Sequence, residues 1–118
     1  MAQTYIVGDI VMYKNRIHTI IDTLGLNNYE LSYIRHRVNR AELSGVPLTP
    51  EILEKNGWVK DKEGYINDSY HLHLCEKNNR YSVYKVVNDN IVWLTDVRNV
   101  SDLQHLLFGL GINHEMEV

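Results

Sequence analysis

The sequence predicts an α+β fold, and three observations carry that prediction: two regions where apolar residues alternate with period two, one short segment at residue 49 with helix-start chemistry, and one helical stripe near the C-terminus. Period two marks a half-buried strand and period 3.6 a helix, so the spacing of apolar residues separates the two. With 118 residues and 44% apolar content the chain is long enough to close a core as one domain over 1–118. The expected architecture is a small curved antiparallel β unit over 1–48, then a short helix, a three-stranded antiparallel meander and a packed C-terminal helix over 49–118.

The first third reads as short strands. In "YIVGDIVMY" Ile6, Ile10 and Met12 alternate with Val7, Val11 and Tyr13, and Gly8-Asp9 interrupts the run where a turn or bulge fits. "RIHTIID" alternates again, Gly25 and Asn27-Asn28 mark a turn, and "YELSYIRHRV" reads as one further strand with Tyr29, Leu31, Tyr33, Arg35 and Arg37 on one side. "VPLTPEILEKNGW" is the clearest boundary: Thr49 caps, Pro50 fits the first helical position, Glu51 favours the positive end, and Asn56-Gly57 supplies a left-handed stop. Beyond Trp58 the period returns to two, with Asn78-Asn79 and Asn88-Asp89 as hairpin turns. "NVSDLQHLLFGLG" closes the chain as a helix, with Ser101 and Gln104 spaced as a capping box. Val100, Leu103, Leu106, Leu107 and Leu110 form its apolar stripe, and Leu72, Leu74, Val83 and Trp93 of the meander are the face expected to receive it.

Composition narrows the function classes. Twelve basic residues against fifteen acidic ones exclude a nucleic-acid coat, although residues 1 to 48 carry five Lys/Arg against four Asp/Glu while residues 49 to 118 carry seven against eleven. A single cysteine excludes an internal disulfide framework and fits a reducing, cytoplasmic setting. The opening "MAQTYIVGDIVMYK" has an aspartate within its apolar run and does not read as a secretory signal, and no segment approaches eighteen apolar residues, so no membrane span is expected.

The order of motifs, "IVGDIVMY", then "VPLTPEILEKNGW", then an aromatic-rich meander, then "VRNVSDLQHLLFGLG", resembles a group of small uncharacterised proteins of Bacteroidetes phages and prophages. In that group a glycine-aspartate strand opens the chain, a "PLT-x-E-x-L-x-x-x-G-[FW]" helix sits in the middle and an "L-Q-x-L" helix ends it. Here Val100, Ser101 and Asp102 precede Leu103, a small departure. The resemblance implies a cytoplasmic accessory protein of a mobile element, with a host defence component as a candidate target. It implies no activity.

Three constellations could carry chemistry. In "YHLHLCEK", His71, His73 and Cys75 share one face if the segment is a strand, and imidazole with thiolate suits zinc. No second cysteine lies at finger-like spacing, so the wet face of a half-buried strand explains the pattern as well. In "YIRHRVNR", Arg35, Arg37 and Arg40 beside Tyr33 would suit phosphates and stacked bases, or would charge an edge against unwanted pairing. The eight tyrosines and two tryptophans favour a protein-binding surface, because such side chains dominate interface hot spots. Glycine-loop, "G-x-S-x-G" and "H-E-x-x-H" motifs do not occur, and the one acid/base group in view, Asp96 and Asp102 near His105, reads more simply as an Asp102–His105 pair on a helix surface. The function expected is therefore non-enzymatic protein binding without a cofactor, with a homodimer as one form of it; nucleic-acid binding through an Arg35–Arg40 strand is the alternative.

Overall fold

The computed structural model describes residues 5–118, so the first four residues of the opening run read for signal character lie outside the described residues. Among the described residues two five-stranded antiparallel sheets and two α-helices make an α+β fold. The chain divides into two compact units, one gathering the residues up to Pro47 with Asn99–Met116, the other Leu48–Arg98 with Glu117–Val118.

In the first unit β1 (Ile10–Tyr13), β2 (Arg16–Leu24), β3 (Asn28–Leu31), β4 (Val38–Asn39) and β5 (Leu43–Gly45) lie in the order β4-β3-β2-β1-β5. Lys14 and Asn15 both have positive φ, 48° and 63°, the turn that matches strand twist in a two-residue hairpin. It sets Tyr13 opposite Arg16. The β2–β3 register shifts between Ile20 and Asp22, a bulge that curves the long strand. A single 3-10 turn, Arg40–Glu42, is capped reciprocally by Asn39 and Glu42 and carries the chain from one sheet edge to the other. Tyr5, Val11, Tyr13, Ile20, Tyr29, Leu31 and Val38 form the core of this unit, with Tyr5 and Tyr29 edge to face at 5.7 Å.

Three sequence expectations fail here. "YELSYIRHRV" is not one strand: β3 ends at Leu31, the Ile34 N–H turns back to the Leu31 carbonyl at 3.2 Å, and Tyr33 has φ 64°, so residues 32–37 form a loop. The terminal helix α2 (Val100–Gly109) belongs to this first unit, not to the meander. Its Val100 N–H donates to the Val46 carbonyl at 2.9 Å, and its stripe residues Val100, Leu103 and Leu107 are buried. Asn99, rather than Ser101, is the N-cap, accepting from the Asp102 N–H at 2.9 Å while Ser101 Oγ donates to Asn99. Gln104 is thereby freed from capping and turns inward.

The second unit holds α1 (Pro50–Lys55) and a plain meander of β6 (Val59–Lys60), β7 (Gly64–Asn67), β8 (Leu72–Lys77), β9 (Arg80–Val87) and β10 (Asn90–Val97). α1 is as the sequence predicts, with Thr49 accepting from the Ile52 N–H and Gly57 at φ 86°. The meander has five strands rather than three because the short β6 and β7 precede the long hairpins. Asn78-Asn79 and Asn88-Asp89 are two-residue turns with φ between 49° and 68°. Gly64 is required where β7 meets β8, since a Cβ there would overlap the Leu74 carbonyl oxygen. Leu72, Leu74, Tyr65, Tyr81 and Val83 are buried on one face of this sheet.

Candidate functional site

The residues singled out in the sequence fall in different units, Tyr33, Arg35, Arg37 and Arg40 in the first and His71, His73 and Cys75 in the second. Tyr33 is 98% exposed at the start of the 32–37 loop, Arg35 and Arg37 are exposed on the same loop, and Arg40 opens the 3-10 turn. The basic strand expected over Arg35–Arg40 is thus broken into a loop carrying Arg35 and Arg37, the two-residue β4 and a 3-10 turn opening at Arg40, and the alternation that would have aligned its guanidinium groups is absent. In "YHLHLCEK" the burial pattern answers the strand question: Leu72 and Leu74 are buried, and His73 and Cys75 lie on the opposite, half-exposed face. His71 precedes the strand, in a left-handed turn at φ 57°. Among the described residues no three His, Cys, Asp or Glu side chains are placed to hold a metal ion. The Cys75 thiol donates to Glu63 at 3.9 Å, and burial, together with the Glu63 and Asp61 carboxylates, pushes its pKa up. That is the opposite of an activated thiolate.

The face that carries His73 is more informative than the metal question. Direct cross-strand partners share a sheet face. Val59 pairs with Ile66, Ile66 with His73, His73 with Tyr84, and Tyr84 with Trp93. One row of apolar and aromatic side chains therefore crosses all five strands on the outer face. It ends at Trp93, 56% exposed, on the edge strand β10, and begins at Val59, 62% exposed, on β6. Ile91, 67% exposed and opposite Val86, extends the row along the hairpin.

Trp93 is held in place as well as exposed. Its indole N–H donates to Asp96 Oδ1 at 3.2 Å, Ser82 Oγ donates to the same oxygen at 2.8 Å, and Arg80 Nε lies 3.5 Å from Oδ2. The Ser82 and Trp93 hydrogen bonds, with Arg80 adding to them, hold the Asp96 carboxyl below the usual carboxylate range. The sequence pattern predicts Trp93 on the core face with Leu72 and Leu74. The structure turns it outward because the two-residue turn at Asn88-Asp89 sets it opposite Tyr84, and a bulge between Trp93 and Thr95 then returns Thr95 to the Val83 face.

A second polar feature lies within the first unit. Asp9 is fully buried, accepts from the Ile6 N–H at 2.9 Å, and bonds His105 Nε2 at 2.5 Å through the same oxygen. Its other oxygen, Oδ1, has no hydrogen-bond partner among the described residues. Gln104 accepts from the Ile10 N–H and donates to the Gly8 and His114 carbonyls, while His114 Nε2 donates to the Val7 carbonyl at 3.2 Å. The carboxylate that His105 bonds is thus Asp9, 96 residues away, while its helical neighbour Asp102 acts on the ring through its charge. Gly8 has φ 96°, and a Cβ there would come 3.0 Å from His114 Nε2. We expect Gly8→Ala to cost about 1–2 kcal/mol of stability by this backbone strain and contact, read as a lower urea midpoint with an unchanged m-value.

Comparison with known proteins leaves the reading to the structure itself: the chain matches no protein-family model, no curated protein and no solved structure. No helix among the described residues is long and apolar enough to cross a membrane.

Proposed function

We propose that this protein is a non-enzymatic binding module that docks another protein chain on the outer face of its second sheet. The observation that supports it is the continuous row Val59–Ile66–His73–Tyr84–Trp93, exposed at both ends and half-buried between them, which presents apolar and aromatic side chains across a whole sheet face. Contiguous exposed apolar surface of this kind marks interaction sites, and a tryptophan whose ring is already fixed by Asp96 loses little freedom on binding. β10 is also an open edge of eight residues, uncharged from Asn90 to Thr95, whereas the opposite edge β6 has two. An extended segment of the partner can add there as a further strand. A second copy of this chain is one candidate partner. Motif order alone supports the further part of the reading, a cytoplasmic accessory role in a phage or prophage with a host defence component as target.

Nucleic-acid binding through Arg35, Arg37, Arg40 and Tyr33 is the second reading, favoured by the full exposure of Tyr33 beside two exposed arginines on one loop. Salt separates the two. Three phosphate contacts would weaken binding roughly twentyfold to fortyfold between 50 and 200 mM salt, whereas an apolar protein interface changes little. Capture from cell lysate by the tagged protein, with nuclease and with salt steps, should retain a discrete protein through both washes. Recovery of nucleic acid that is lost as salt rises would overturn the proposal in favour of the loop.

A further inference from the structure

We propose that the Asp9–His105 pair is a protonation-dependent latch that fastens the terminal helix α2, and the tail after it, to the first sheet. The argument begins with geometry. Helix α2 and the tail after it are joined to the segment Val7–Ile10 by three side chains: His105 on Asp9, Gln104 on Ile10 and Gly8, and, from the tail, His114 on Val7. The Gln104 attachment joins neutral amide groups and keeps its form at any pH, and the His114 attachment is made to a backbone carbonyl. The third involves a carboxylate with no exposure at all, whose partner ring is 27% exposed and open to proton exchange. A buried carboxylate is costly unless a charge or hydrogen bonds compensate it, and one of the two Asp9 oxygens has no hydrogen-bond partner among the described residues. The compensation therefore falls largely on the imidazole, and it is greatest when that ring is an imidazolium.

The surrounding charges point the same way. Asp9 comes from the approach to β1, and Asp102 lies one turn back on α2 itself. Both favour the protonated ring, the Asp9 hydrogen bond most of all, and together they outweigh the burial that opposes it. Tyr5, on the opening segment, has its hydroxyl pKa raised by burial and by Asp9 and Asp102, with Arg40 acting in the opposite sense, so it stays neutral through the range concerned. His114, on the tail, faces the Val7 carbonyl rather than a charge. The His105 pKa is thus above that of an ordinary histidine. A raised folded-state value means that the stabilisation is complete below the unfolded histidine pKa and is lost as pH rises through the folded one. The latch is closed in acid-to-neutral solution and loosens on the alkaline side.

Amide hydrogen exchange of Leu103–Leu107 between pH 5.5 and 8.5, corrected for intrinsic rates, tests this together with an NMR titration of the imidazoles. Protection of α2 should fall by up to tenfold as His105 deprotonates, while protection in β8 and β9 stays level, and the fall should vanish in His105→Gln and Asp9→Asn. An α2 pH dependence that persists in either variant would overturn the proposal. So would a His105 that titrates at or below the pKa of a free histidine, a result read on the wild-type protein even if a variant does not fold.

Discussion

Replacing Trp93 by alanine is expected to weaken the complex with the docked protein by about 2 kcal/mol, roughly thirtyfold in Kd, and to leave the fold intact. The two halves of that expectation have separate causes. Trp93 is more exposed than buried, so truncation opens no cavity, and Asp96 keeps its Ser82 hydrogen bond and its Arg80 neighbour. In a complex the same ring would be the largest apolar group at the end of the row, already oriented along the edge strand. Trp93→Phe keeps most of the ring area and loses only the N–H to Asp96, so it should fall between wild type and alanine. Tyr33→Ala, on the loop of the first unit, should leave affinity unchanged. Calorimetric titration of each variant against the captured partner, with urea unfolding as the control for stability, reads both halves.

Removing the His105 ring should be the most destabilising change at the polar clasp, about 2–3 kcal/mol for His105→Ala. Alanine leaves Asp9 buried with the Ile6 N–H as the remaining donor to Oδ2, and the loss is that of an uncompensated buried charge rather than of one surface hydrogen bond. Asp9→Asn should cost less, about 1 kcal/mol, because the amide carries no charge to strand. Against a total stability of order 5–15 kcal/mol the difference is readable as a shift in urea midpoint at pH 6.5. The double variant His105→Ala with Asp9→Asn should recover part of the loss. A double variant as unstable as the sum of the singles would show that the two side chains act independently.

Most of the fold can be read from the sequence where chemistry is local. Thr49-Pro50-Glu51 and Asn56-Gly57 fix both ends of α1, because caps and left-handed stops depend on single residues. The long hairpins follow from Asn78-Asn79 and Asn88-Asp89. A two-residue turn also pairs residues equally distant from it, so those turns alone set His73 opposite Tyr84 and Tyr84 opposite Trp93. Three of the five residues of the candidate docking row, His73, Tyr84 and Trp93, were legible in this way, once registers are taken as seriously as periods. Val59 and Ile66 were not, because β6 and β7 are too short to show alternation. The loop 32–37 looked like a strand because Tyr33 and Ile34 have good strand propensity, which the left-handed backbone at Tyr33 overrides. The clasp was the least legible. Gly8-Asp9 and Leu103-Gln104 stood out as motifs at opposite ends of the chain, but nothing local states that the residues of one bond those of the other. Gln104 in particular fitted a capping box with Ser101, and only the nearer cap at Asn99 releases it for the long-range role.

The central claim is that a protein partner docks on the outer face of the second sheet. Hydrogen exchange of the protein with and without its captured partner, read by mass spectrometry, tests it most directly. We expect slowed exchange in β10, including Asn90–Trp93, and in the β8–β9 segments around His73 and Tyr84, with residues 32–40 unchanged. Slowed exchange over residues 32–40 with β8–β10 unaffected would contradict the account and place the interaction on the arginine loop.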